Sequence, residues 1–198
     1  METRPTVPII DALTRADWRQ WLADNHAREK YVWLKLYKKA SPTPSVTYSE
    51  AVDEALCFGW IDSMARKGDD DQHYIQYFTR RKPTSNWSGV NKDKVEKLTA
   101  AGLMTDAGQR LIDLAKQTGT WTALDDVDKL INPLDLQEAL EANPVAKAFF
   151  EAFPPSSRRA ILEWLLNAKT PATRTKRILE IVSRAERNVR ANQYTPKS

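Results

Sequence analysis

Cysteine is nearly absent, with only Cys57 among 198 residues. A disulfide framework and a cysteine-based zinc site both need thiols in multiples, so neither holds this chain together. Cys57 itself falls in an apolar stretch and is expected to be a buried, inert thiol. Histidine is almost as scarce, and neither His26 nor His73 lies in a metal-ligand spacing or in the setting of a hydrolytic triad. No apolar run approaches the roughly 20 residues that cross a bilayer. Met1 to Ala12 has no secretory-type apolar core, so the expected location is cytoplasmic, with no membrane span. Phosphate loops, dinucleotide fingerprints and the Gly-x-Ser-x-Gly elbow are missing, which leaves Ser63 without the turn that would expose a nucleophile. Asp69, Asp70 and Asp71 before His73 read as a solvated turn, because successive side chains cannot all point at one ion. No cofactor and no metal are expected, and no catalytic residue is assigned.

What the chain does have is charge, unevenly spread. Residues 123–153 sum to −5 and residues 154–198 to +7, within a formal net charge of +4. An acidic segment beside a basic one is expected mainly to neutralise its neighbour, so nucleic-acid binding is expected to be weak at most.

Periodicity orders the rest. Thr14 and Asp17 open a helix carrying Trp18, Trp21 and Leu22 on one face. Val32, Leu34 and Leu36 alternate with Trp33, Lys35 and Tyr37, the pattern of a half-buried strand. Thr47 and Glu50 form a capping box ahead of Ala51, Val52, Ala55 and Leu56, and Gly59 ends that helix. Residues 60–63 read as a short strand or extended turn, and His73 to Thr79 as a second main strand, antiparallel to 31–38. From Ser88 the period is helical to the end, in segments near 88–101, 105–118, 134–142, 145–152, 156–168 and 172–190. The expected fold class is α+β: a small antiparallel sheet flanked by helices over residues 1–122, followed by an all-helical C-terminal module over 125–198.

One stretch interleaves aromatic and basic side chains: Phe58, Trp60, Tyr74, Tyr77, Phe78, Arg80, Arg81, Lys82, Trp87 and Lys92. Such a set either forms the core of a small domain or binds a planar or anionic ligand. Asp62, just after Trp60-Ile61, is costly to bury unless it caps an amide, meets Arg80 or Arg81, or faces a ligand. The candidate ligand-binding residues are therefore Trp60, Asp62, Ser63, Arg80, Arg81, Trp87, Asn91 and Lys92.

Leu56-Cys57-Phe58-Gly59-Trp60-Ile61-Asp62-Ser63, with Gln76-Tyr77-Phe78-Thr79 and Ser85-Asn86-Trp87-Ser88, resembles the signature of the YdeI/OmpD-associated (bacteriocin-protection) family. Pro155-Ser156 to Trp164 and Ala168-Lys169 through Arg177-Ile178 are similar to its C-terminal helical module. The family pattern Phe-Thr-Pro-Arg stands here as Phe78-Thr79-Arg80-Arg81, which replaces a proline by a charge at the strand's end. The resemblance implies protection against bacteriocins or envelope stress, or association with an outer-membrane porin, and carries no assigned reaction; the expected role is a non-catalytic one, binding a small or anionic ligand, or a protein partner, at residues 60–92. A nucleic-acid-binding protein, or an enzyme of unassigned reaction using Asp62, are the alternatives that the residues leave open.

Overall fold

A computed structural model describes residues 7–192 of the chain. The backbone forms β1 (Ile9–Asp11), α1 (Arg15–Asn25), β2 (Tyr31–Tyr37), α2 (Tyr48–Cys57), β3 (Trp60–Lys67), β4 (His73–Arg80), α3 (Gly89–Ala100) and α4 (Asp106–Thr118), and then α5 (Asp125–Asp128), α6 (Leu134–Glu141), α7 (Pro144–Ala152), α8 (Pro155–Leu166) and α9 (Pro171–Ala185). It divides into two compact units, residues 1–122 and 123–198. A four-stranded sheet with helices precedes a helical region, the α+β class expected from the sequence.

Local signals account for most of the boundaries. Both capping boxes form: Thr14 with Asp17, and Thr47 with Glu50, each threonine hydroxyl accepting from the N3 amide while the N3 carboxylate accepts from the threonine amide. Proline occupies the first turn of α7, α8 and α9, where its missing N–H costs no hydrogen bond. The last helix stops at Ala185 and not near 190, and Asn188 beyond it takes a positive φ of 55°.

The sheet has the order β1-β2-β4-β3. The expected antiparallel pairing of β2 with β4 is present, from Tyr31 opposite Thr79 to Tyr37 opposite His73. Two features differ from the sequence reading. Strand β1 adds a parallel edge beside β2, so the sheet is mixed; three residues next to Pro8 are too few to show a period. The segment read as a short strand or turn is an eight-residue strand, β3, antiparallel to β4 and interrupted by a bulge between Asp62 and Ala65. There Ser63 and Met64 face outward opposite one residue of β4, and the buried Gln76 donates to the Met64 carbonyl at 3.2 Å.

The first unit's core joins Trp18 and Leu22 of α1, Val32, Leu34 and Leu36 of β2, Ala55 and Leu56 of α2, Trp60, Phe78, Val95, Leu98 and Ile112. Burying each large side chain contributes about 1.5–3 kcal/mol. Cys57 lies in this core, and burial pushes its thiol up to about 11, so it is an inert thiol. A single buried carboxylate, Glu54, ties α2 to α1 through Arg15 at 2.6 Å and Arg19 at 2.5 Å. The second unit has its own core of Leu124, Leu136, Leu140, Phe150, Phe153, Ile161, Leu165 and Ile181.

Candidate functional site

Helix α2 ends at the Phe58 cap and turns through Gly59, whose φ of +73° is left-handed. A Cβ there would also stand 2.8 Å from Leu111 and 3.1 Å from the Ala107 carbonyl, so only glycine lets α4 approach the turn this closely. The Gly59 carbonyl accepts from the Arg81 amide at 2.9 Å, which joins the turn to the end of β4. Between them lies a shallow cleft of about 350 Å³ lined by His26, Phe58, Gly59, Trp60, Arg80, Arg81, Arg110 and neighbouring aliphatic groups.

The cationic side chains are held by neutral groups. Arg80 donates from Nε to the Glu29 carbonyl at 2.7 Å and from Nη2 to the Ala27 carbonyl at 2.6 Å. Its amide donates to the Lys30 carbonyl at 3.2 Å, a bond that the proline of the family pattern could not make. Arg81 is only 5% exposed; it lies over the Trp87 ring at 3.7 Å and donates to the Asn86 carbonyl. Its Nε meets no acceptor. Burial pulls the Arg81 guanidinium down to about 10 while the Asp62 charge pushes it up, so it stays cationic at neutral pH. Carbonyl oxygens fix these two arginines without cancelling their charge, and none of Arg80, Arg81 and Arg110 forms an ion pair among the described residues. His26 turns Nδ1 to the Leu22 carbonyl at 2.9 Å and its ring against Phe58.

Three of the eight residues expected at a site, Trp60, Arg80 and Arg81, line this cleft. Trp60 is 1% exposed and gives its indole N–H to the His26 carbonyl at 3.3 Å, so it forms the floor more than a stacking face. Trp87 is buried beneath Arg81 and acts through it. Asp62 is half-buried and accepts the Tyr48 hydroxyl at 2.6 Å. Ser63 is exposed in the bulge, while Asn91 and Lys92 are half-buried in the first turn of α3, both amides bonded to Ser88. Sequence reasoning missed Arg110 and His26, which come from α4 and the end of α1 and share no pattern with the β4 arginines.

Elsewhere, Asp69, Asp70 and His73 gather closely enough to suggest a cation site. Both ring nitrogens of the buried His73 already face carboxylates, Nδ1 at 2.7 Å from Asp70 and Nε2 at 3.1 Å from Asp69, and Gly68 leaves room for the ring. The cluster closes the β3–β4 turn.

Residues 10–111 match the family model described as Domain of unknown function (DUF8412), and residues 129–188 match the one described as Bacteriocin-protection, YdeI or OmpD-Associated. The chain belongs to the DUF8412 family and carries a YdeI/OmpD-associated region. Within this member, the Phe58-to-Ser63 string and the arginine cleft lie in the DUF8412 part, whereas the YdeI/OmpD-associated match covers helices of the second unit. No curated protein and no solved structure matches the chain.

Proposed function

We propose that this protein is a non-catalytic binding protein that takes a small anion in the Arg80–Arg81–Arg110 cleft, and that it serves bacteriocin or envelope-stress protection from the cytoplasm. The observation that carries the binding reading is a set of three arginines lining one concavity with no carboxylate partner, one of them nearly buried and still short of an acceptor. A desolvated guanidinium is stabilised by an anion far more than by water-exposed dipoles, and backbone clamps reduce the ordering cost of binding. The lining supplies no carboxylate, hydroxyl or thiol, and its one imidazole, His26, has Nδ1 bonded to the Leu22 carbonyl, which favours retention of a ligand over its turnover. The protective role rests on the description of the YdeI/OmpD-associated region.

The test is calorimetric titration of the full-length protein with inorganic phosphate, sulfate and acetate. Phosphate is expected to bind and to raise the melting temperature at about 10 mM. Arg110→Ala, an exposed change, is expected to weaken it roughly tenfold or more, the worth of one charge-assisted hydrogen bond. If no anion binds, or if Arg110→Ala binds as the wild type does, the reading fails.

A further inference from the structure

We propose that the second unit holds a binding site of its own, a cavity that takes a small one-ring organic amine. The cavity measures about 210 Å³. That is above the roughly 150 Å³ in which an apolar protein cavity admits benzene, and below the roughly 300 Å³ where pockets for drug-sized molecules begin. It therefore fits one ring with a short substituent.

The walls set the body of the ligand. Val127 of α5 and Leu162 of α8 are buried, and Pro133 with the exposed Ile131 and Leu166 forms an apolar rim. The polar residues set its charge. Arg174 of α9 lines the cavity, and Asp135 engages the Nε–Nη2 edge of its guanidinium, at 2.5 Å from Nε and 2.8 Å from Nη2. Asp135 is held below the usual carboxylate range chiefly by that bond, so the pair is ionised and neutral as a unit. The charge left over is negative. The Asn132 Oδ1 is buried and has no donor, and the Asp126 carboxylate, also in the lining, has no ion-pair partner among the described residues. The unpaired Asp126 carboxylate, beside an Arg174–Asp135 pair that is neutral as a unit, selects a cation, and the apolar walls select a ring to carry it. A protonated arylalkylamine or cyclic amine meets both demands, whereas a carboxylate of the same size would face Asp126. This site does not depend on the reading of the arginine cleft.

The full-length, isotopically labelled protein is titrated at neutral pH with benzylamine, benzyl alcohol and benzoate, and amide shifts are followed. Benzylamine is expected to shift Val127 and Leu162 saturably, with benzyl alcohol roughly tenfold weaker, the difference between a charged and a neutral hydrogen bond. Benzoate is expected to leave those residues unmoved. Asp126→Asn, an exposed change, should reduce benzylamine to the level of the alcohol, and Leu166→Trp should fill the mouth and abolish both. The proposal is overturned if benzoate moves the cavity residues as strongly as benzylamine, if Asp126→Asn leaves benzylamine unchanged, or if none of the three moves them. Should Leu166→Trp unfold, the Asp126→Asn comparison decides alone.

Discussion

Asp62 shows how one residue changes meaning once its neighbours are known. In the sequence it is an acid in an apolar stretch, and a ligand was one way to account for it. In the structure it accepts the Tyr48 hydroxyl at 2.6 Å, and burial together with that bond pushes the Tyr48 phenol up to about 12. Asp62 also acts on Arg81 through space without forming an ion pair with it. If the cleft binds anions, the Asp62 charge that acts on Arg81 opposes them. Asp62→Asn is therefore expected to tighten phosphate binding severalfold, while weakening the bond to Tyr48 and lowering stability by about 1 kcal/mol. Phosphate titration and urea unfolding of the same variant read the two effects separately. Weaker phosphate binding would place Asp62 on the ligand itself.

Elements whose ends carry a chemical signal were legible in the sequence, and elements without one were not. Thr14, Thr47, Gly59 and the prolines ahead of α7, α8 and α9 mark boundaries by local hydrogen bonding and φ, which short-range sequence contains. Strand β1 is too short to show a period, and the extent of β3 is hidden because its bulge interrupts the alternation after Asp62. The cleft was legible only in its β4 half. Arg110 reaches it because α4 packs on Gly59, a tertiary contact with no sequence signature. That contact is open to a direct test. Gly59→Ala would place a Cβ in a left-handed turn and against Leu111 and the Ala107 carbonyl. It is expected to cost at least about 1–2 kcal/mol from the backbone alone, and to weaken phosphate binding by displacing Arg110. A variant with wild-type urea midpoint would show that α4 does not need the glycine.

At the scale of the whole molecule, the charge asymmetry and the two cores fit together. The −5 and +7 segments both belong to the second unit, and ion pairs cross between them: Arg159 with Asp128 at 2.8 Å and Arg174 with Asp135 at 2.5 Å. Arg159 and Arg174, two of the ten basic side chains of residues 154–198, thus meet acids of the preceding segment within their own unit. Each hydrophobic core is likewise drawn from one unit, the first from residues between Ile10 and Trp121 and the second from residues between Leu124 and Ala191. Six of the seven tryptophans, all but Trp164, fall in the first unit, where Trp18 stacks on Trp21, Trp21 meets Trp60 edge-on, and Trp87 tilts against Trp121. A fragment ending at Thr122 keeps every one of those contacts and the entire arginine cleft. We expect the 1–122 fragment to be soluble, to unfold cooperatively on heating, to retain the near-ultraviolet dichroism of its packed indoles, and to bind phosphate as the full chain does. A fragment that binds a hydrophobic dye and shows no near-ultraviolet signal would mean that the first core is not closed by its own residues. A fragment that folds but has lost phosphate would overturn the placement of the anion in the cleft, whose lining lies wholly within residues 26–111.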